Sequence, residues 1–290
     1  MRFSLCLGLT VVCLTQASAH CWAQQTDITF IVAGKTSNHR QQSDGALNVL
    51  NYHFFAEIFL QTGGRVSAAS LLTPLSEGKA VGFSDGGYAL EWHGGRYATE
   101  AELEENYPDG NYIFDYTSPS TGAVSQRVLL ANPNPQASGL PRAPVITLSQ
   151  NGAAVRPGSI DPDQDLRVSW SAFQAGSADP LAIMDDLLFV IMGDCDGQRR
   201  AHSGRPFENT PYLTYRDTHF DISAEILLPD NAYQLSVEHA VLDTAREHGV
   251  TAFATYATTT FLDIKTTGVA AAGSACPKIR KPFDAGQTDL

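Results

Sequence analysis

The run LLPDNAYQLSV, from Leu227 to Val237, constrains the fold more than any other part of the sequence. One apolar stretch ends in Leu-Pro, the chain turns through Asp-Asn, and alternating apolar residues resume at Tyr233. Alternation on both sides of a turn rich in Pro, Asp and Asn is typical of paired β-strands. We expect Tyr233 to bury its ring and to turn its hydroxyl to a backbone group at the corner of a sheet.

The second half of the chain has the spacing of an all-β fold, because seven strands are predicted to follow one another without a helix between them. Their predicted ranges are 145–148, 166–173, 187–192, 212–216, 220–227, 233–239 and 251–264. Such a series predicts an antiparallel β-sandwich.

Several core positions of this half resemble those of the fibronectin type III module. They are the LRVSW strand that ends at Trp170 and the later Leu-Pro run that contains Tyr233 and Val237. The resemblance covers residues 144–268. It implies an immunoglobulin-like sandwich in which Trp170, Leu228, Tyr233 and Val237 are buried together across the two sheets.

The first half, residues 24–131, is expected to form another antiparallel β-sandwich-like domain with one short helix. Thr99 followed by Glu102 has the spacing of a capping box, which predicts the start of that helix. Residues 47–60 fit a strand, although their apolar spacing also fits a helix. Hairpin turns, each flanked by strands, are predicted at residues 62–64, 94–95 and 118–122.

A series of aromatic and glycine residues distinguishes this half: Trp92, Tyr97, Tyr107, Gly110, Tyr112 and Phe114. With this series the first half is similar to uncharacterised bacterial secreted proteins that join such a segment to a sandwich domain. The resemblance implies no particular activity.

The N-terminus has the pattern of a secretory signal. Arg2 precedes an apolar run over residues 5–14, and Ala17-Ser18-Ala19 forms a small-residue cleavage site. The apolar run is too short to span a membrane. We therefore expect a signal peptide at residues 1–19, with cleavage after Ala23 as the alternative, and a secreted or periplasmic mature protein.

Two segments without apolar periodicity divide the remaining chain. Residues 132–143 are rich in proline and predict an exposed linker between the two domains. Residues 269–290 are rich in Ala, Gly and charge, which predicts a flexible tail.

The net charge of −12 disfavours nucleic acid, whose binding needs a basic surface. We expect no nucleic acid, no membrane span and no cofactor.

Cys195 and Cys276 remain in the mature chain whichever cleavage site is used, and no CxxC motif indicates zinc. In a fibronectin-like sandwich the third and last strands run parallel in one sheet, so this resemblance places both cysteines at the same pole. We expect a disulfide between them, worth about 4 kcal/mol in the chain-entropy model for a loop of roughly eighty residues. Two free thiols, or a pairing that involves Cys21, are the alternatives.

Two motifs suggest chemistry. The GFSDG run around Ser84 matches the nucleophile elbow GxSxG, but an alternating strand follows where that motif needs a helix. We therefore expect Ser84 in a turn without a histidine beside it, and we assign no catalytic residue.

Asp161, Asp163 and Asp165 have the spacing of calcium ligands, but the glycine and glutamate of an EF-hand are missing. We predict a solvated acidic turn and no metal site.

Aromatic residues of the first half are the candidate binding residues. Trp92, Tyr97, Tyr112 and Tyr116 either belong to the core, the more common fate of large aromatics, or form a platform for sugar rings. The predicted function is a secreted, non-catalytic binding or accessory module that recognises carbohydrate or another extracellular protein. The alternatives are a serine hydrolase that uses Ser84 and a purely structural surface protein.

Overall fold

A computed structural model describes residues 27–132, 137–208 and 210–282. The predicted signal peptide, both cleavage sites and Cys21 lie outside these ranges. Within them, one α-helix, α1 (Glu100–Asn106), and one 3-10 turn (Ala224–Ile226) interrupt the strands. None of the helices in the described ranges is long and apolar enough to cross a membrane.

The strands follow one another in this chain order: β1 (Ile28–Gln41), β2 (Leu47–Leu60), β3 (Ser67–Leu72), β4 (Val81–Gly82), β5 (Ser84–Asp85), β6 (Ala89–Tyr97), β7 (Gly110–Ser118), β8 (Gly122–Leu130), β9 (Ile146–Gln150), β10 (Ala153–Ala154), β11 (Leu166–Trp170), β12 (Leu187–Asp194), β13 (Arg199–His202), β14 (Leu213–Thr214), β15 (His219–Ile222), β16 (Ala232–Glu247) and β17 (Val250–Lys265).

Three sheets make up the fold, which is of the predicted all-β, sandwich-like class. The long sheet has nine strands in the order β13-β12-β16-β17-β1-β2-β6-β5, with β14 paired to β12. The second sheet has the order β4-β3-β7-β8, and the third has the order β10-β9-β11-β15. Neighbouring strands are antiparallel except β1 and β17, which are parallel.

The second and third sheets pack on the same face of the long sheet. On β17, Ala252 and Ala254 belong to the first core, and Leu262 and Ile264 belong to the second. Alternate residues of a strand share a face, so these four side chains point the same way. The first core lies under the second sheet and contains Phe54, Ile58, Leu71, Tyr112, Phe114 and Leu130. The second core lies under the third sheet and contains Val168, Trp170, Leu188, Val190, Leu235 and Val237.

The two halves of the chain meet in the parallel pair of β1 and β17. Eleven residue pairs join these strands, from Phe30 opposite Thr251 to Arg40 opposite Phe261. The halves expected as separate sandwich domains therefore share one continuous sheet. Part of the predicted linker also contacts that sheet, because the carbonyl of Pro141 accepts a hydrogen bond from the Thr258 hydroxyl at 2.7 Å.

Three local features of the first half agree with the sequence. The capping box is confirmed: the Thr99 hydroxyl accepts from the Glu102 amide at 3.2 Å, and the Glu102 carboxylate accepts from the Thr99 amide at 3.3 Å. Residues 47–60, whose apolar spacing fits both a strand and a helix, form the strand β2. The hairpin at residues 118–122 is confirmed by the pairing of β7 with β8.

Two predicted hairpins are wrong. Residues 62–64 connect β2 to β3, which belong to different sheets. Gly94 and Gly95 lie inside the continuous strand β6 and do not form a turn. A Cβ at Gly94 would overlap the Tyr107 ring, so this glycine is required by packing. A glycine pair in an alternating run can mark close side-chain approach as well as a hairpin.

The corner predicted at Tyr233 is present, with one correction. The Tyr233 ring is buried in the second core, and its hydroxyl accepts from the Leu228 amide at 2.7 Å. Trp170 and Val237 are buried with it, but Leu228 is 48% exposed. The 3-10 turn just before this segment sets Leu227 into the core, so the next residue points outward.

A disulfide joins Cys195 and Cys276, as predicted, with their Cα atoms 6.2 Å apart and a sequence separation of 81. The segment beyond it is less free than expected. The backbone amides of Arg280 and Lys281 both donate to the Cys195 carbonyl, at 2.7 and 3.1 Å. The Arg280 guanidinium also pairs with Asp196 at 2.6 Å. The described part of the predicted tail is thus held against the end of β12.

Replacement of Trp170 by Ala should lower the free energy of unfolding by about 3–5 kcal/mol, because it leaves a cavity in the second core. Leu228→Ala is the matched control, since it removes an exposed apolar side chain from the same half and should cost less than about 0.5 kcal/mol. Urea denaturation followed by circular dichroism measures both changes. An unchanged midpoint for Trp170→Ala would contradict this packing.

Candidate functional site

The four aromatic residues predicted as a binding platform lie in or beside the first core. Tyr112 and Tyr116 are fully buried, and their hydroxyls donate to the Pro108 carbonyl at 2.9 Å and to the Gln126 side chain at 3.0 Å. Trp92 and Tyr97 are partly buried and pack against the same core. Core packing, the alternative to the platform, therefore describes all four positions.

Ser84 is exposed on the edge strand β5, where it pairs with Glu91 of β6. The chain continues into β6, so the strand-to-helix turn of a nucleophile elbow is not formed. No hydrogen bond joins Ser84 to a histidine within the described ranges. The serine-hydrolase alternative gains no support from this geometry.

The acidic turn at residues 161–165 uses its carboxylates for backbone contacts. Asp161 accepts from the Asp163 amide at 3.0 Å, and Asp165 accepts from the Ala224 amide at 2.8 Å. In the part of the chain that the structure describes, one group of potential metal ligands is compact enough for an ion, namely Cys195, Asp196 and Cys276. Both of its sulfurs are consumed by the disulfide, so we assign no metal there.

The strongest candidate site lies on the face of the long sheet opposite the two cores. A cleft of about 190 Å³ opens on this face, and its walls come from β1 and β2 of the first half and from β12, β16 and β17 of the second. Six phenylalanines dominate the lining: Phe30, Phe55, Phe59, Phe189, Phe253 and Phe261. The parallel joint of β1 with β17 therefore runs through the floor of the cleft.

Strand alternation explains why these side chains share one face. In β2, Phe54, Ala56 and Ile58 point into the first core, so His53, Phe55, Glu57 and Phe59 point into the cleft. Gly34 of β1 lies on the cleft face, between Phe55 and Thr255 in the register. A Cβ at this position would overlap the Thr255 methyl and stand 2.8 Å from the Phe55 ring. Because Gly34 has no side chain, the space above the middle of the cleft floor stays open.

A loop after β13 lies across one end of the cleft. Phe207 stacks on Phe253, with ring centroids 6.1 Å apart, and contacts Phe30 at 5.8 Å. The Arg205 guanidinium lies over the Tyr88 ring at 5.0 Å and over the Phe59 ring at 5.7 Å. The loop thus bridges strands of the two halves, and it places a cation against the aromatic wall.

Carboxylates line the cleft beside the aromatic rings. Glu57 of β2 is paired across the strands with Glu91 of β6, and Glu238 of β16 accepts from the Thr259 hydroxyl at 2.8 Å. Burial, together with the charges of Glu91 and Glu238, raises the pKa of Glu57 to about 8, although Arg205 opposes this. Burial also raises the pKa of Glu238. Both carboxylates belong to the lining of the cleft.

The other end of the cleft is built from neutral polar groups and one guanidinium, that of Arg96. The Asn38 amide donates to the Asn51 side chain at 2.9 Å, and Arg96 donates to the same oxygen at 2.8 Å. Burial, followed by the charge of Arg96, lowers the pKa of His53 to about 3, so its ring is neutral. Thr36 is only 4% exposed, and its Oγ1 has no hydrogen-bond partner within the described residues.

No protein-family model matches the chain, and no curated protein is significantly similar to it.

None of the cleft residues was identified from the sequence. The available signal was the alternation His-x-Phe-x-Glu-x-Phe from His53 to Phe59, which sets a carboxylate between two rings on one face of β2. This alternation alone does not predict a cleft, because the other lining residues, such as Phe253 and Glu238, come from the other half of the chain.

Glu57 should make the stability depend on pH. Its pKa is raised in the folded protein from 4.5 to about 8, so the neutral form is favoured by folding. The resulting stabilisation is complete below about pH 4.5 and is lost as the pH rises through about 8. Glu57→Gln should reduce the stability lost between pH 5 and pH 9 by about 2–4 kcal/mol.

Urea denaturation at both pH values measures this difference for each variant. Glu247→Gln, at the exposed end of β16, is the control and should retain the full loss. The same loss in Glu57→Gln as in the unmodified protein would show that Glu57 is not held neutral in the cleft.

Proposed function

We propose that the protein is a secreted, non-catalytic binding module whose ligand occupies the cleft between the two halves of the long sheet. The observation that carries this proposal is an aromatic-lined cavity, on a face that neither smaller sheet covers, with an unsatisfied hydroxyl in its wall. Concave apolar sites with a few convergent polar groups are the usual form of small-ligand sites.

The size of the cleft limits the group that it accepts. Its volume is about 190 Å³, whereas a cavity of roughly 150 Å³ lined by apolar side chains holds benzene. The cleft therefore suits one ring-sized apolar group. Phenylalanine rings offer no hydrogen bonds, so the lining favours an apolar ring over a sugar, which displays hydroxyls on every side. Between the two partner classes expected from the sequence, the cleft favours a group like the side chain of a protein over carbohydrate.

Secretion is part of the proposal because the N-terminal sequence has the three regions of a signal peptide. The disulfide between Cys195 and Cys276 supports it, since such bonds persist in oxidising compartments. The resemblance to fibronectin type III modules is supported by strand order. The sequence β9-β11-β15 faces β13-β12-β16-β17 across the second core, as in a sandwich of that kind.

The two other functions considered have less support. Ser84 lies on an exposed edge strand and is not among the residues that line the cleft. A purely structural role would give no reason for an aromatic-lined cleft on a face that neither smaller sheet covers.

The probe 2-phenylethanol, a single apolar ring with a neutral hydroxyl, tests this proposal by ligand-observed NMR and calorimetry. We expect saturable binding that Phe55→Ala weakens at least tenfold, because the mutation removes ring contacts worth roughly 1.5–3 kcal/mol. Phe83→Ala is the matched control, since Phe83 packs against the first core on the other side of the sheet. Methyl glucoside should bind at least tenfold more weakly.

Absence of saturable binding by 2-phenylethanol would contradict the proposal. Equal binding by the Phe55→Ala and Phe83→Ala variants would place the probe outside the cleft and would contradict it as well.

A further inference from the structure

A chain of hydrogen bonds fixes which groups donate at the polar end of the cleft. A guanidinium can only donate, so the bond from the Arg96 Nη1, at 2.8 Å, makes the Asn51 side-chain oxygen an acceptor. The contact of Asn38 with the same oxygen, at 2.9 Å, is therefore made by the Asn38 amide nitrogen. That nitrogen has a second hydrogen, and the His53 Nδ1 lies 3.3 Å from it. The His53 Nδ1 is thus an acceptor.

The ring of His53 consequently carries its hydrogen on Nε2. Burial, followed by the charge of Arg96, lowers the pKa of His53 to about 3, so the neutral ring has a single N–H group. Since Nδ1 accepts, this group is at Nε2, which makes no hydrogen bond within the described ranges. His53 belongs to the lining of the cleft, so it offers an unused donor to a ligand there.

Two further donors flank His53 in one row across the sheet. Thr36 of β1 and Arg96 of β6 are opposite His53 on its two neighbouring strands, and both line the cleft. Opposite side chains of paired strands lie about 5 Å apart. The Thr36 hydroxyl is buried without a partner among the described residues. Arg96 pairs with no carboxylate in the described part of the chain, where its guanidinium donates to Asn51 alone.

The carboxylates of the cleft lie away from this row. Glu57 is four residues from His53 along β2, about 13 Å, and Glu238 of β16 is three strands from β2, about 14 Å. Burial raises the pKa of Glu57 to about 8, so its carboxyl is largely neutral at pH 7. The Glu238 carboxylate accepts from the Thr259 hydroxyl. Neither acid therefore occupies the three donors.

The apolar part of the cleft begins in the next row of the sheet. Gly34 and Phe55 are opposite each other there, two residues from Thr36 and from His53 along the strands, which is about 6.5 Å. Gly34 has no side chain, so the space beside the Phe55 ring is open. An apolar ring over Gly34 is therefore within the reach of a short chain from an acceptor over His53.

We propose that the ligand of the cleft is a small organic acid, an apolar ring joined by a short chain to a carboxylate, which accepts hydrogen bonds from Thr36, His53 and Arg96. This inference rests on the proposed binding function and names its ligand class. A carboxylate offers about four lone-pair sites and no donor, so it matches a set of donors. Its bond with the guanidinium is charge-assisted, roughly twice as strong as a neutral one. An ammonium offers no acceptor to His53 or Arg96.

Calorimetry at pH 7 compares three probes with the same ring and chain: 3-phenylpropanoate, 3-phenylpropan-1-ol and 3-phenylpropan-1-amine. We expect the acid to bind about tenfold more tightly than the alcohol, and the amine to bind more weakly than the alcohol. Arg96→Gln, at an exposed position that tolerates the change, should weaken the acid about tenfold and leave the alcohol within about twofold. Arg127→Gln, exposed on β8 and outside the cleft, is the matched control and should change neither affinity.

Thr36→Val removes the buried hydroxyl and keeps the shape of the side chain. It should weaken the acid several-fold without lowering the midpoint of urea denaturation, because the hydroxyl has no partner to lose among the described residues. A structural role for this hydroxyl would instead lower the midpoint and leave the affinity for the acid unchanged.

The outcomes separate the ligand class from the function. Equal affinities for the acid and the alcohol, or acid binding that both Arg96→Gln and Thr36→Val leave unchanged, would overturn the organic-acid ligand while the apolar cleft stands. Failure of all three probes to bind would refute the proposed function as well. Circular dichroism of each variant confirms that altered binding is not a loss of folding.

Discussion

The parallel pair of β1 and β17 is the contact on which the rest of the structure depends. It joins strands from opposite ends of the described chain, since the bonded hydroxyls of Ser37 and Thr258, for example, are 221 residues apart. Closing such a loop has a high entropic cost, which long, buried strands can offset by many simultaneous contacts. Without this pair the long sheet would separate into two smaller sheets, and the two walls of the cleft would no longer be joined.

A buried ionic network reinforces the joint from the core side. Lys35 of β1 is 1% exposed, and its ammonium donates to Glu104 and Asp109, each at 2.7 Å. Asp109 also accepts from the Tyr256 hydroxyl of β17 at 2.6 Å. Burial of a charge is costly unless it is paired, and here the pairing links both strands of the joint to the segment after α1. One face of the joint thus holds the halves together and leaves the opposite face to form the cleft.

Local signals in the sequence predicted local structure well and long-range structure poorly. The capping box at Thr99 and the corner at Tyr233 depend on neighbours within a few residues, so their patterns were sufficient. The disulfide followed from the expected strand order of a single half. The β1–β17 pair was missed because alternation identifies a strand but not its partner. The cleft was missed for the same reason, because its lining residues from β2 and β16 come to one face only after the halves join.

Hydrogen exchange of the full chain, with and without 2-phenylethanol, tests most directly whether a ligand binds where β1 and β17 join the two halves. The account predicts that the alcohol slows exchange together in β1 and β2 of the first half and in β16 and β17 of the second. Amides of β7, β8, β9 and β11, in the two covering sheets, should change much less. Protection confined to one half, or to the covering sheets, would contradict a binding site at the joint.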